Sequence, residues 1–316
     1  MSCDVTVGPN GFAALLVWWN RALKERTKPD LWTGRWWAIA AAFLWSTSGF
    51  FAKAPYFSGD DWSPIRLAFW RAVFASVILL PMIRRPQWSL RLIPMVVCFV
   101  IMNYTFLTAL KTTTAGNAIW LQYTAPAWVF FIGVLAFGEK VHRGDWWMLA
   151  FSCLGVGLIL TCEIGAAMSS GKGNLDWILY GLVGGATFAG VVLSIRRLSD
   201  HDPAWLVGLN HVVTALVLLP FVVGGNQPWP NPTQWTMLAG FGMFQMGIPY
   251  VFFAISLKHI SGHQASGITL LEPVLMPIWV FIAWQLQPKA WTVIGGGLIL
   301  GGLMIQFFMT PKKVGR

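Results

Sequence analysis

The composition of this 316-residue chain is that of a membrane protein. Hydrophobic residues make up 56% of it and charged residues 11%, with a mean hydropathy of +0.61. Soluble domains carry about 25% charged residues, and a soluble chain of this length could not bury so much apolar surface. The composition excludes a soluble enzyme, a disordered protein and a disulfide scaffold, and it leaves a net charge of +10 to be explained.

Ten apolar runs follow one another along the chain. Each holds about 18–23 residues, enough for a helix to cross the hydrocarbon core of roughly 30 Å, and none alternates in polarity like a barrel strand. The fold predicted is all-α, a polytopic membrane protein with ten transmembrane helices. The predicted spans are 36–54, 66–84, 92–110, 116–138, 146–163, 176–195, 204–223, 234–256, 264–286 and 291–309.

The basic residues favour one side of the membrane. If successive spans alternate in direction, sixteen of the 22 lysines and arginines fall on the same side. An excess of this kind predicts a cytoplasmic side, and both termini lie on it. The positive charge is therefore interpreted as a record of orientation and of contact with anionic membrane lipids, and no nucleic-acid partner is expected.

The two halves of the chain resemble each other. At one constant offset Pro126 pairs with Pro273 and Ala118 with Ala265, although chance similarity between apolar helices accounts for part of the match. Because each half holds five spans, the second copy would enter the membrane inverted, as in many secondary transporters. The domains expected are a cytoplasmic tail at 1–35, repeats at 36–163 and 176–309, an extracytoplasmic linker at 164–175 and a cytoplasmic tail at 310–316.

Short motifs in a fixed order resemble a known family. They are Phe43-Leu44-Trp45-Ser46-Thr47, Phe69-Trp70-Arg71, Tyr123-Thr124-Ala125-Pro126, Gly138-Glu139-Lys140 and Leu271-Glu272-Pro273-Val274. Together they resemble the ten-span EamA-type branch of the drug/metabolite transporter superfamily. One departure is Gln285-Leu286-Gln287-Pro288, where members often carry Gly-Glu. The resemblance implies export of amino acids or related small metabolites across a bacterial inner membrane. Another solute class remains open, since sister branches carry nucleotide sugars and sugar phosphates.

Two ionisable residues at membrane depth are the main candidates for the binding site. Glu272 lies near the midplane and is followed by Pro273, which should bend or break the helix. Its carboxyl could bind a substrate amine, take up a proton, or stabilise the kink as a neutral acid. Arg71 could bind a substrate carboxylate, or it could be a residue that reaches the outer interface or tethers two helices. A third possibility is that the two residues pair as a gate.

Further candidates are polar or aromatic residues within the apolar runs, which should face protein or a water-filled cavity. They are Ser48, Asn103, Tyr104, Trp120, Tyr123, Gln245 and Tyr250. His211 could relay protons, but a hydrogen-bonded core histidine is the alternative. The glycine pairs Gly181/Gly185 and Gly297/Gly301 are interpreted as helix contacts.

Several kinds of chemistry have no motif in this sequence. It contains no zinc-protease motif, Walker loop or nucleophile elbow, so no catalytic residues, metal ligands or cofactors are expected. The expected partners are a small-molecule substrate and membrane lipids, and the expected state is a monomer or weak homodimer. A membrane enzyme acting on a lipid-linked substrate is the least favoured alternative, because the twelve acidic residues are scattered.

Overall fold

The structure is a computed structural model that describes residues 30–52, 54–57, 62–112, 119, 121–138, 141–169, 176–224, 228–285, 287 and 289–309. Within these ranges the chain forms helices and no strands, which confirms the all-α fold. The α-helices are α1 Leu31–Trp45, α2 Ser48–Ala52, α3 Pro64–Leu79, α4 Leu92–Thr112, α5 Ala125–Phe137, α6 Arg143–Ser169, α7 Asp176–Arg197, α8 Pro203–Val223, α9 Pro232–Gly242, α10 Ile248–His259, α11 Gly262–Ile268, α12 Leu271–Trp284 and α13 Ala290–Met309.

Eight helical stretches in the described chain are long and apolar enough to cross a membrane, so the protein is a multi-pass membrane protein. At the first predicted span the chain forms the shorter helices α1 and α2, and at the fourth it forms α5, of 13 residues. Residues 116–118 and 120 of that fourth span lie outside the described chain. The total of ten spans stays a prediction.

Some predicted span boundaries differ from the structure. Helix α1 begins at Leu31, five residues before the first predicted span. Helix α6 continues to Ser169, six residues beyond the span that was predicted to end at Glu163. In the structure Glu163 accepts hydrogen bonds from Lys289, at 2.9 Å, and from the Trp291 indole, at 3.0 Å. With its charge paired, the acid does not end the helix.

Several spans are interrupted rather than continuous. Helices α1 and α2 are separated at Ser46–Thr47, and α11 and α12 at Thr269–Leu270, while a π-helical turn at Met243–Gly247 joins α9 to α10. Pro273 cannot donate to the carbonyl of Thr269, four residues earlier, which explains the break before α12. Turns of this kind free backbone groups and redirect side chains, and they often mark functional sites.

A matching break lies in the first half. Tyr123 and Thr124 form a turn immediately before α5, and Pro126 follows them. Pro126 and Pro273 are the prolines paired by the sequence repeat, so both halves carry a helix that begins one or two residues before a proline. Helices α5 and α11 pack against each other, which brings the two breaks together.

The helix packing keeps its pattern when the two halves are exchanged. By the sequence repeat, α7 corresponds to α1, α4 to the pair α9–α10, and α5 to the pair α11–α12. Helix α4 packs on α7, and the corresponding α10 packs on α1. Likewise α5 packs on α7, and the corresponding α12 packs on α1. Helix α4 meets α8 as α9 meets α3, and the pairs α6/α13 and α3/α8 each join equivalent spans of the two halves. Two copies of one five-helix unit would pack in this way.

Glycines allow α6 and α13 to approach closely, but they are not the pair predicted on α13. A Cβ added at Gly297 or Gly301 would meet no atom within 4 Å, so the contact expected there is wrong. The contact is made instead at Gly155 and Gly295. A Cβ at Gly155 would lie 2.5 Å from the Gly295 carbonyl oxygen. The helix that packs through glycine was correctly predicted, but the face of that helix was not.

Candidate functional site

A polar cavity of about 40 Å³ lies among the interrupted helices. It has room for a few water molecules. Its walls combine one basic, one acidic, three amide and several aromatic side chains. The lining residues are Trp45, Arg71, Met102, Asn103, Phe106, Gln122, Tyr123, Phe188, Gln245, Met246, Tyr250 and Glu272.

Glu272 occupies one side of this cavity. It is the second residue of α12, directly after the break at Thr269–Leu270. The Tyr123 hydroxyl, from the matching break in the first half, donates a hydrogen bond to Oε2 of Glu272. Ser48, the first residue of α2, also lies within hydrogen-bonding reach of the carboxyl. Three of the predicted site residues therefore meet at one carboxyl group.

Arg71 occupies the other side and does not reach the outer interface, since only 2% of it is exposed. Its Nη2 donates to Oδ1 of Asn103 at 2.5 Å, and Nδ2 of Asn103 donates to the Phe99 carbonyl at 3.0 Å. The guanidinium carbon also lies 5.1 Å from the centre of the Phe241 ring, a cation–π distance. Asn103 is thus fixed by its own helix and orients the guanidinium.

Arg71 and Glu272 face the same cavity without an ion pair between them in the described chain. Each has an uncharged hydrogen-bond partner instead: Asn103 for the guanidinium, and Tyr123 for the carboxyl. The paired gate considered from the sequence is therefore not formed in this conformation. An opposite-charge pair that is buried but separated can hold a ligand with both charges.

Aromatic side chains and two amides complete the walls. The ring of Trp45 lies 4.7 Å from that of Tyr250 and 6.2 Å from that of Phe188, centre to centre. Gln245, in the π-helical turn, donates through Nε2 to the Trp45 carbonyl at 3.3 Å. The Gln245 Oε1 and the Trp45 Nε1 are buried without a hydrogen-bond partner in the described chain. Such atoms need a partner from water or a ligand.

Tyr104, predicted as a site residue, does not line the cavity in this conformation, and 39% of it is exposed. It is offset by about 100° from its neighbour Asn103 around α4, which explains why the two side chains part. Trp120 lies outside the described residues.

His211 is buried in α8 beside the rings of Phe99 and Tyr250, at 4.8 and 5.9 Å. Neither of its ring nitrogens has a hydrogen-bond partner in the described chain. The expectation of a hydrogen-bonded core histidine is therefore wrong. The residue also does not line the cavity.

Six of the lining residues were not predicted as site residues. The sequence carried a signal for two of them: Trp45 and Phe188 are paired between the two halves at an offset of 143, and their rings meet edge-to-face in the structure. Gln122 adjoins the predicted Tyr123. The others are apolar residues in apolar helices, so no compositional signal marked them: Met102, Phe106 and Met246.

A second buried polar cluster lies outside the cavity and was also missed. Asp145, near the start of α6, is fully buried. It lies 3.1 Å from Nε2 of His263 on α11 and accepts from Nε2 of Gln306 on α13 at 2.8 Å. The cluster joins three helices through one carboxylate. Among the described residues there is no group of three or more His, Cys, Asp or Glu that could hold a metal.

The fold and the cavity define a class of protein: a multi-pass helical membrane protein with a polar site where interrupted helices meet, as in secondary transporters. The chain belongs to the EamA-like transporter family, whose model matches residues 32–161 and 175–308. This agrees with the resemblance found in the sequence motifs.

Curated relatives are transporters of low sequence identity. An uncharacterized transporter of Archaeoglobus fulgidus is 25% identical over 84% of this chain and 93% of its own length. The pseudopaline exporter CntI of Pseudomonas aeruginosa is 22% identical over 83% and 92%, respectively. The threonine/homoserine exporter RhtA of Escherichia coli is 24% identical over 59% and 61%. A solved crystal structure shares the fold with a TM-score of 0.67 at 16% identity, covering 87% of this chain and 97% of the other.

Proposed function

We propose that this protein exports an amino acid or a related small metabolite that carries both a carboxylate and an amine. The observation that carries this proposal is the pair of opposite charges facing one cavity, each with an uncharged partner rather than the other charge. The RhtA and CntI relatives, which are named as exporters, support the direction of transport.

The two sides of the cavity match the two ends of such a substrate. The planar guanidinium of Arg71 can form two parallel hydrogen bonds to a carboxylate, and Asn103 holds it in place. The Glu272 carboxylate can accept from an ammonium group while the Tyr123 hydroxyl holds one of its oxygens. The faces of Trp45 and Tyr250 supply apolar surface for the rest of the substrate.

The proposed mechanism is alternating access by two inverted repeats, at 36–163 and 176–309. Equivalent helices of the two halves make equivalent contacts, which supports this mechanism. The matching helix breaks before Pro126 and Pro273 also support it. With about 40 Å³, the cavity has room for only a few water molecules in this conformation, so we expect the halves to separate on one side to admit a solute. The inner membrane and cytoplasmic termini are proposed from the positive charge distribution.

The energy source proposed is a gradient of substrate or protons. Glu272 is the candidate proton carrier, because it is the one acidic residue among the described residues that line the cavity. A transporter for another solute class, such as a drug or a sugar phosphate, is the alternative. In that case the cavity would recognise a different arrangement of charges.

The test is transport by the purified protein in proteoliposomes, with competing amino acids, single-charge analogues and sugar phosphates. Glu272→Gln and Arg71→Gln should each lower transport by at least about 30-fold, the loss expected when one member of a buried charged contact is removed. An analogue that lacks the carboxylate should compete poorly for the wild-type protein, but as well as the parent amino acid for Arg71→Gln. An analogue that lacks the amine should show the same change in Glu272→Gln.

Matched controls come from the same residue types outside the cavity. Glu163→Gln removes a carboxylate that pairs with Lys289, and Tyr104→Phe removes an exposed hydroxyl. Both should transport normally, whereas Tyr123→Phe should not. Normal transport by both cavity charge variants would overturn the site assignment. Preference for sugar phosphates would overturn the substrate class. Transport that ignores an imposed pH gradient would remove proton coupling alone.

A further inference from the structure

A larger cavity of about 630 Å³ lies apart from the central site, in a groove between α4, α5 and α7. Its residues are distinct from those of the central cavity. One wall carries Ile132 of α5, which is 38% exposed at the surface of the bundle. Gly190 of α7 adds no side chain to the floor, where a Cβ would lie 2.6 Å from Sγ of Cys98. The groove is therefore an open, mostly apolar surface channel.

The groove carries two arginines at the same end. Arg91 immediately precedes α4 and Arg197 is the last residue of α7, and both line the groove. Cys98 and Gly190 each lie seven residues from the arginine of their own helix. At 1.5 Å per residue, the apolar part extends about 10 Å from the two guanidinium groups.

The charge at this end is positive. The described residues that line the groove include these two arginines and no acidic residue. The Asp200 carboxylate interacts with Arg91, but it does not line the groove and its side chain is 73% exposed. The neighbouring Arg196 points elsewhere, because its guanidinium donates to the Leu257 carbonyl. Two guanidinium groups above an apolar channel match a ligand that has an anionic head and a long apolar tail.

We propose that this groove binds an anionic phospholipid, with its phosphate at Arg91 and Arg197 and one acyl chain along α4 and α7. Lipid chains surround the bundle in a bilayer, so the apolar channel is filled at little cost. Guanidinium groups bind phosphate with directed, charge-assisted hydrogen bonds. A zwitterionic head group gains less, because its cationic part is repelled by the same arginines. Basic pockets between helices select anionic lipids on this principle.

Native mass spectrometry of the full chain in detergent measures the binding directly. The probes are phosphatidylglycerol, phosphatidylcholine of the same chain length, and glycerol phosphate, which has the head group without chains. The wild-type protein should retain one phosphatidylglycerol more tightly than phosphatidylcholine. In Arg91→Gln/Arg197→Gln this preference should weaken by about 30-fold. Glycerol phosphate should not displace the bound lipid.

Two further variants keep the result interpretable. Arg84→Gln/Arg85→Gln removes the same charge from two exposed arginines that do not line the groove, and it should bind phosphatidylglycerol like the wild type. Arg91→Lys/Arg197→Lys keeps the charge and should retain most of the preference. The proposal is overturned if the groove glutamine variant keeps full preference, if the control loses as much, or if glycerol phosphate competes. Transport activity does not enter these readouts, so failure of the proposed function would be seen separately.

Discussion

The contact between α6 and α13 makes a sharp prediction, because two glycines on one helix have opposite environments. A Cβ at Gly155 would lie 2.5 Å from the Gly295 carbonyl oxygen and 2.8 Å from Ile299, whereas one at Gly157 would meet nothing within 4 Å. Gly155→Ala and Gly157→Ala therefore add the same methyl group two residues apart. The first is added into a backbone contact, and the second into open space.

The expected magnitudes have opposite signs. In Gly155→Ala the backbone of α13 must retreat by about 0.9 Å to turn the 2.5 Å approach into an ordinary 3.4 Å contact. Overpacking of this kind costs about 1–3 kcal/mol, and a backbone carbonyl cannot rotate away as a side chain could. Gly157→Ala meets no obstacle and gains the helix preference of alanine, about 0.5–1 kcal/mol.

Thermal unfolding of both variants in one detergent, followed by loss of the monodisperse peak in size-exclusion chromatography, compares these effects. Gly155→Ala should unfold several degrees below the wild type, and Gly157→Ala at or above it. Gly297→Ala on α13 is a second control, since a Cβ there also meets nothing. Equal effects of Gly155→Ala and Gly157→Ala would refute the close approach of the two helices.

Two other predictions concern polar groups outside the cavity. Asp145→Ala and His263→Ala should each lower the free energy of unfolding by about 1.5–3 kcal/mol, because each removes one side of a buried contact between a carboxylate and an imidazole, and the double variant should lose much less than the sum. Strictly additive losses in a double-mutant cycle would refute this coupling. Asp30 accepts hydrogen bonds from the first turn of α1, and bonding to Thr33 lowers its pKa below the ordinary 3.8. Asp30→Ala should cost about 1 kcal/mol at neutral pH while Asp30→Asn keeps the cap, and the wild type should lose this contribution as the pH falls through the lowered pKa. An asparagine variant as unstable as the alanine one would contradict the capping role.

The interruptions of the helices could be predicted in part. Pro273 predicts a break because a proline cannot donate to the carbonyl four residues earlier, and the structure has the turn at Thr269–Leu270. The π-helical turn at Met243–Gly247 was not predicted, although Pro249 cannot donate to the Gln245 carbonyl four residues earlier. The sequence does not tell which kind of interruption a proline produces, and in the structure this turn packs against α3.

The partners of the charged residues could not be predicted. Arg71 has its hydrogen-bond partner 32 positions away and Glu272 has its partner 149 positions away. Both polar neighbours Asn103 and Tyr104 were reasonable candidates, yet one faces the guanidinium and the other is exposed. Helix α4 is apolar on all sides, so its sequence carries no stripe that tells one face from another.

The sequence was sufficient to identify an all-helical membrane protein of the EamA type. These conclusions depend on composition, run length and motif order, which need no knowledge of which helices touch. The contacts between helices became visible only in the folded structure. Arg71 meets Asn103, Glu272 meets Tyr123, and α13 packs on α6 at Gly295 instead of Gly297. The physical reason is that lipid chains and protein cores are equally apolar, so hydropathy separates membrane from water but does not separate the lipid-facing side of a helix from its packed side.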